Sequence, residues 1–330
     1  MTTCAKMVMT RRAGCQRAPR RTGEFLPHIV ACVSIATAIR HYNLLDRGAT
    51  SLTVGNILTS NDEAALPRVA ASSYLNSAPL IWSYTHGTRR RKVHLLTDAA
   101  PARCAQMLAR GEVEAALVPV IEYQRLPDVL VVPGVCVGAR HTVRSVVLAT
   151  RFDDLRDVRR IALDESSRTS AALVQIIFRE FIGRDVETAP QLPDVEAMLN
   201  WADAALVIGD PAMTFPRANL RIHDLANLWR EHTGLGFVFA MWMARASSAW
   251  AARAADFAGV RDEGVAHIEE IVAVYSDQLA LPHEELRDYL NQNICFDLDA
   301  EMRAGLELFF TLAHKHGLVE TCRPLRELEM

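Results

Sequence analysis

The chain has 330 residues, which is long enough for two folded lobes rather than one compact core. Hydrophobic residues make up 50% and charged residues 23%, the formal net charge is −3, and no long basic stripe is present, which argues against a dedicated nucleic-acid-binding protein. The seven cysteines are widely spaced without a Cys-x-x-Cys pair, so they indicate reduced thiols in a cytoplasmic protein rather than a disulfide framework or a zinc site.

The first 66 residues differ in composition from the rest of the chain. Several basic residues precede Glu24 without an acidic one, and an apolar run follows from Ile29 to Ile39. This order resembles a signal peptide, so export is one interpretation. We favour a disordered N-terminal extension over 1–66, because the segment shows no sustained hydrophobic period. No apolar run reaches the roughly 20 residues of a membrane helix, so no membrane partner is predicted.

Alternating strands and helices are predicted from residue 67 onward. The first strands are predicted at 67–71, 93–96 and 114–119, and the first helices at 75–82 and 101–111. Pro101 suits the first turn of its helix, and Gly111 suits the C-terminal cap. Such an alternation is typical of a parallel sheet covered by helices.

A second series of strands and helices begins near Arg160. Further strands are predicted at 129–137, 145–150, 160–163, 188–192, 204–208 and 237–243. Helices are predicted at 170–181, 195–201, 265–275, 282–291 and 300–316, and the segment 220–232 is predicted to contain one. The sequence therefore predicts an α/β protein of two lobes with a ligand cleft between them. Residues 67–150 and 232–330 would form lobe one, and residues 151–231 would form lobe two.

Three predicted strand ends lead into small polar residues. They are Ser72–Leu80, Asp164–Ser170 and Gly209–Ala212. Each has a plain structural interpretation, namely a helix cap for the serines and threonine and a turn for the glycine. Together, however, helix starts in two different lobes would face each other across the cleft, which suits a small dianion with two separated carboxylates. Arg168 would either add a charged contact or belong to a surface ion pair.

No metal or cofactor site is predicted. The eleven histidines form no His-x-x-x-His pattern, and no glycine-rich phosphate loop is present. Cys136 lies in an apolar run, so we expect a buried, unreactive thiol rather than a nucleophile.

These motifs resemble the MqnA family of menaquinone biosynthesis, the chorismate dehydratases. The matching pieces, in order, are Ser73-Tyr74-Leu75-Asn76-Ser77-Ala78-Pro79-Leu80, Ala116-Leu117-Val118-Pro119, Ile121-Glu122-Tyr123, Val132-Pro133-Gly134-Val135-Cys136, Arg144-Ser145-Val146, Leu163-Asp164-Glu165-Ser166-Ser167-Arg168-Thr169-Ser170, Ile208-Gly209-Asp210-Pro211-Ala212, Asp224-Leu225, Trp229-Arg230, Thr233-Gly234-Leu235, Phe237-Val238-Phe239-Ala240, Tyr289-Leu290 and Asn293-Ile294. The resemblance implies a type II periplasmic-binding-protein-like fold that acts as a cytoplasmic enzyme on chorismate in the futalosine pathway, without a cofactor. The product would be 3-[(1-carboxyvinyl)oxy]benzoate.

The resemblance also implies site residues. Asn76 and Asp210 would be catalytic, and substrate would contact Ser73, Tyr74, Ser77, Pro119, Val120, Ser166, Ser167, Arg168, Thr169, Ser170 and Gly209. Similar enzymes often carry a serine where this chain has Val120, which leaves that role empty or to another hydroxyl. The motifs contain no histidine, and the sequence gives no reason for a raised pKa at Glu122 or Asp164. The substrate's own enolpyruvyl carboxylate is therefore the expected proton acceptor, with Asp210 as the alternative within the protein.

Two other functions remain open. One is a non-catalytic solute-binding protein of the same fold, exported by the N-terminal segment. The other is a lyase similar to MqnD, the sister enzyme of the pathway. In MqnD the end of the first strand carries a Ser-Pro-Cys-Pro-Asn-Asp-like motif. This chain has Tyr74-Leu75-Asn76 there, which favours the dehydratase.

Overall fold

The computed structural model describes residues 66–329. The extension predicted over 1–66, and with it the export alternative, therefore lies outside the described residues apart from Leu66. Within them, no helix has both the length and the apolar character needed to cross a membrane.

The described residues form ten strands and twelve α-helices. The strands are β1 (Arg68–Ser72), β2 (His94–Asp98), β3 (Ala115–Pro119), β4 (Val129–Ala139), β5 (Val146–Thr150), β6 (Arg160–Asp164), β7 (Glu187–Gln191), β8 (Ala204–Ile208), β9 (Arg221–Asp224) and β10 (Phe237–Arg245). The helices are α1 (Trp82–Thr85), α2 (Pro101–Arg110), α3 (Glu122–Arg125), α4 (Thr169–Ile176), α5 (Val195–Trp201), α6 (Gly209–Thr214), α7 (Leu225–Thr233), α8 (Ala249–Ala255), α9 (Phe257–Ala266), α10 (Ile268–Leu279), α11 (His283–Asp288) and α12 (Ala300–Lys315). Short 3₁₀ turns lie at Leu75–Leu80, Leu155–Asp157 and Ala246–Ser248, and π-helical turns lie at Ile177–Ile182 and Tyr289–Asn293.

The strands form two five-stranded sheets. The first has the order β2-β1-β3-β10-β4, in which β1 runs parallel to β2 and β3 while β10 runs antiparallel to β3 and β4. The second has the order β7-β6-β8-β5-β9, with β6 parallel to β7 and β8. We call the parts built on these sheets the first and second lobes. The predicted two-lobed α/β fold is confirmed.

The second sheet begins earlier in the chain than the sequence predicted. The boundary was placed after residue 150, whereas β5 pairs along its whole length with β8 and also with β9. All five residues of β5 are buried. A buried apolar strand fits the interior of either sheet, so its composition does not reveal which sheet it joins.

The segment 220–232, which is predicted to contain a helix, forms a strand followed by that helix. Residues Arg221–Asp224 form β9, and α7 begins only at Leu225. The cause is Asp224, whose carboxylate accepts hydrogen bonds from the backbone N–H groups of Ala226 and Asn227. An aspartate that caps the first turn fixes the start of the helix behind it.

An aromatic cluster packs helices from different parts of the chain together. Trp229 on α7 meets Phe237 on β10 at 5.3 Å between ring centroids, and Phe237 meets Phe309 on α12 at 5.1 Å, both edge to face. All three rings are buried. Because β10 returns to the first sheet, this packing fixes the segment after the second lobe onto the first.

Candidate functional site

A cavity lies between the carboxyl ends of strands from both sheets. The cavity has a volume of about 60 Å³. Its wall consists of Ser72, Tyr74, Asn76, Ser77, Pro101, Leu117, Pro119, Val137, Val146, Ser166, Ser167, Arg168, Thr169, Ser170, Ile208, Gly209, Phe239 and Ala240. Most of the predicted substrate contacts are thus brought together in one place.

The first lobe contributes a hydrogen-bonded polar chain to the wall. The hydroxyls of Ser72 and Ser77 lie 2.6 Å apart, and Ser77 donates to Oδ1 of Asn76 at 3.2 Å. This contact orients the Asn76 amide within the 3₁₀ turn Leu75–Leu80. Burial raises the pKa of Tyr289, and hydrogen bonds with Ser145 and Asn76 oppose that rise. Sequence reasoning missed Tyr289 as a neighbour of the site, since only folding brings it to Asn76.

The second lobe contributes the segment before α4. Asp164 at the end of β6 is fully buried, and its carboxylate accepts from the N–H and hydroxyl of Ser166 and from the N–H of Ile208. Burial raises the pKa of Asp164, although these hydrogen bonds lower it. This raised pKa was not predicted, because the sequence does not show that the side chain is desolvated.

The helix-cap interpretation of the serines is not what the structure shows. Residue Arg168 occupies the N-cap position of α4, and no side chain caps the helix. Ser167 is part of the cavity wall, and its hydroxyl is buried without a hydrogen-bond partner among the described residues. A buried polar group without a partner is costly, so this hydroxyl and the uncapped helix start suit an anionic ligand.

Arg168 combines the two alternatives that the sequence left open. Its side chain lines the cavity and also forms an ion pair with Glu122, with 2.8 Å between Nη1 and Oε2. The pair is not a surface pair, because the Glu122 side chain is only 3% exposed.

Gly209 allows the two lobes to meet at the cavity. Its φ of +67° is in the left-handed region, and a Cβ there would collide with the ring of Tyr74 from the first lobe. Burial raises the pKa of Tyr74 to about 12, and a hydrogen bond with Ser166 lowers it. The Tyr74 ring therefore reaches from the first lobe to the second, and only glycine leaves room for this ring at position 209.

Three predicted site residues lie outside the cavity wall. Ser73 is exposed, and its carbonyl accepts from the Tyr275 hydroxyl. Val120 is fully buried, and its N–H donates to the carbonyl of Phe239. Asp210 accepts a hydrogen bond from the N–H of Leu75 at 3.0 Å. Successive residues leave a strand end in different directions, so neighbours of wall residues can point elsewhere.

The apolar part of the wall was not predicted as part of the site. It consists of Pro101, Leu117, Val137, Val146, Ile208, Phe239 and Ala240. Val137 and Ala240 are cross-strand partners because β10 inserts between β3 and β4. The strands themselves were predicted, but the sequence carries no signal for their order in the sheet.

Across residues 66–329, no group of three or more His, Cys, Asp or Glu side chains is arranged to hold a metal ion. Four of the described cysteines, Cys104, Cys136, Cys295 and Cys322, carry free thiols, and burial raises the pKa of Cys136 well above its usual value.

Solved structures of similar fold are periplasmic-binding-protein-like. A protein from Archaeoglobus fulgidus superposes with a TM-score of 0.63 and 17% identity over 78% of this chain and 100% of its own. A Candida albicans protein described as having the generic periplasmic binding protein fold gives 0.56 and 12%, over 80% and 98% of the two chains. The aliphatic sulphonate binding protein of Escherichia coli gives 0.54 and 16%, over 81% and 94%.

Sequence comparison is more specific. The chorismate dehydratase of Thermus thermophilus is 28% identical over 258 residues, which cover 72% of this chain and 91% of that protein. The family model for menaquinone biosynthesis matches residues 67–315, which include both sheets and the whole cavity wall. The chain therefore belongs to this menaquinone biosynthesis family, whose residues build the two-lobed cavity described above.

Proposed function

We propose that this protein is a chorismate dehydratase, a hydro-lyase that converts chorismate into 3-[(1-carboxyvinyl)oxy]benzoate and water. The observation that carries the proposal is the cavity wall. It brings together Asn76 of one lobe and Ser167 of the other, whose hydroxyl has no partner among the described residues. The identity with a named chorismate dehydratase selects this substrate among small dianions.

The wall offers a place for a carboxylate of chorismate and an apolar surface for its ring. One carboxylate would bind at the start of α4, where the Ser167 hydroxyl, the Ser170 side chain and the uncapped N–H groups line the cavity. Arg168 on the same wall adds a cation. The apolar wall, including Leu117 and Phe239, would hold the ring and exclude water, so that these polar contacts act in a medium of low dielectric.

Elimination requires a proton acceptor and a departing hydroxyl. The proposed reaction removes a ring hydrogen beside the ether together with the neighbouring hydroxyl, and the ring becomes aromatic. Among the described residues in the wall there is no Asp, Glu, His, Lys or Cys. We therefore assign the proton to the enolpyruvyl carboxylate of the substrate itself. Asn76 of the first lobe would donate a hydrogen bond to the departing hydroxyl, which leaves as water when the carboxylate passes the proton on to it.

Asp210 was the alternative acceptor within the protein. Its carboxylate lies outside the wall and is engaged by the Leu75 N–H. We therefore give Asp210 a part in joining the lobes and leave proton transfer to the substrate.

The compartment and the lobe bounds are part of the same proposal. We place the enzyme in the cytoplasm, because free thiols such as the exposed Cys322 are typical of a reducing compartment. We also propose that the second lobe begins at Val146, the first residue of β5, rather than after residue 150.

The direct test is to incubate the purified protein with chorismate and to follow the aromatic product by absorbance and mass spectrometry. We expect product without added metal or cofactor. The Asn76→Ala variant should lose turnover by about 10²-fold or more, the size of effect seen when a group that stabilises a developing charge is removed. Asn227→Ala is the matched control, because Asn227 pairs with Glu231 on the exposed side of α7.

A solute-binding protein is the second candidate, favoured by the fold that the chain shares with the sulphonate binding protein. Tight binding of chorismate, seen by calorimetry, without any conversion would support it and contradict the dehydratase. Near-normal turnover in Asn76→Ala would remove Asn76 from the mechanism and leave the reaction itself intact.

A further inference from the structure

Glu122 is a buried carboxylate that the proposed mechanism does not use. It begins α3, directly behind the end of β3, and its side chain is 3% exposed. Both of its oxygens are occupied by arginines. Oε1 accepts from Nη1 of Arg125 at 3.0 Å, and Oε2 accepts from Nη1 of Arg168 at 2.8 Å.

The two arginines come from different lobes. Arg125 lies three residues further along the same short helix, so it partners Glu122 within the first lobe. Arg168 precedes α4 in the second lobe and lines the cavity. The contact between Glu122 and Arg168 therefore crosses the cleft, whereas the contact with Arg125 does not depend on the second lobe.

Arg168 is only partly engaged by this contact. Among the described residues, Glu122 is the one acceptor for its guanidinium, and it uses a single nitrogen. A guanidinium carries five N–H donors in a rigid planar fork. Once the Glu122 carboxylate holds one edge of the Arg168 guanidinium, the plane of the guanidinium fixes the orientation of its remaining N–H donors. An arginine that is already oriented loses less freedom when it binds a carboxylate.

We propose that Glu122 is a positioning residue, which holds the Arg168 guanidinium in the cavity wall so that its remaining N–H groups meet a substrate carboxylate. This inference rests on the proposed function, because it assigns the guanidinium to a carboxylate of chorismate. Glu122 acts through Arg168 and does not itself line the cavity, so its effect is on binding.

The test is a double-mutant cycle with chorismate as substrate. We expect Glu122→Gln to raise KM about tenfold with kcat changed less than about threefold, as for a contact made equally in the ground and transition states. Arg168→Gln should raise KM at least as much. In the Arg168→Gln background, adding Glu122→Gln should change KM less than about twofold, because the two residues act as one unit.

Two further variants keep the test independent of folding. Arg168→Lys retains the positive charge and can still reach Glu122, but it lacks the second edge of the fork, so it should also raise KM. Glu114→Gln is the matched control, since it weakens another Glu–Arg pair of the first lobe, with Arg68, away from the cavity, and the Glu114 side chain is only 16% exposed. It should leave KM and kcat unchanged.

Additive effects in the cycle, a wild-type KM in Arg168→Lys, or a loss confined to kcat in Glu122→Gln would each overturn the positioning role. With an active wild-type protein, these outcomes leave the dehydratase proposal standing. A wild-type protein that does not convert chorismate would instead overturn the proposed function, and this inference with it.

Discussion

Asp210 makes the stability of this protein depend on pH in a direction that can be measured. Its carboxylate lies in the first turn of α6 and accepts from the N–H of Leu75 in the other lobe at 3.0 Å. Burial raises its pKa from 3.8 to about 6, and the hydrogen bond from Leu75 only partly opposes the rise. The ionised form is therefore less favourable in the folded protein than in water.

The sign and size follow from proton linkage. Because the folded pKa is higher than the unfolded one, Asp210 contributes stability that is fully present below about pH 3.8 and is lost as the pH rises through about 6. The difference between the two pKa values corresponds to about 3 kcal/mol. About 1.4 kcal/mol of this falls between pH 5 and pH 8, the range in which proteins are generally most stable.

Asp210→Asn removes the charge and keeps an oxygen that can accept from Leu75. The variant should be more stable than wild type at pH 8, and this advantage should shrink by about 1.4 kcal/mol when the pH is lowered to 5. The assay is urea unfolding of both proteins at several pH values, followed by circular dichroism.

Asp153→Asn serves as the control, since that carboxylate is 83% exposed. Its effect on the free energy of unfolding should stay within about 0.5 kcal/mol at every pH. A difference between Asp210→Asn and wild type that does not change with pH would refute the reasoning.

Two smaller predictions concern the cavity wall. Ser167→Ala should raise KM for chorismate about tenfold, the worth of one hydrogen bond to a charged group, and should keep or slightly raise the thermal midpoint, because the buried hydroxyl has no partner among the described residues of the free protein. An unchanged KM would contradict this part of the site. Gly209→Ala should destabilise the fold by about 1–3 kcal/mol more than Gly183→Ala, as measured by calorimetry. Both glycines have positive φ, but only at Gly209 would a Cβ meet the ring of Tyr74. Equal losses of stability in the two variants would mean that backbone strain alone accounts for the effect, without the contact with Tyr74.

The sequence predicted the architecture because hydrophobic periodicity is a local property. The strands at β1, β3, β6, β8 and β10 were all placed to within a few residues. What it could not predict was partnership between strands. The apolar sequence of β5 does not show which of the two sheets the strand joins. The antiparallel insertion of β10 beside β3 depends on contacts between residues far apart in sequence.

The site was predictable to the same extent. Most of the polar residues predicted after strand ends lie around one cavity, since parallel strands end at the same edge of a sheet. The direction of each side chain was not, which is why Asp210 and Val120 were predicted in the wall but lie behind it. The raised pKa of Asp164 was missed for a related reason, because desolvation depends on the whole fold.

Three contacts between the lobes are made by wall residues or by their direct neighbours. Leu75 donates to Asp210, Glu122 binds Arg168, and the N–H of Ile121 reaches the hydroxyl of Thr169 at 3.4 Å. Each joins the end of a first-lobe strand to the start of a second-lobe helix. A ligand that bridges the wall adds contacts in parallel with these, so binding and closure stabilise each other. A binding-protein fold thereby supplies what the proposed elimination needs, namely a dry cavity and a fixed substrate geometry.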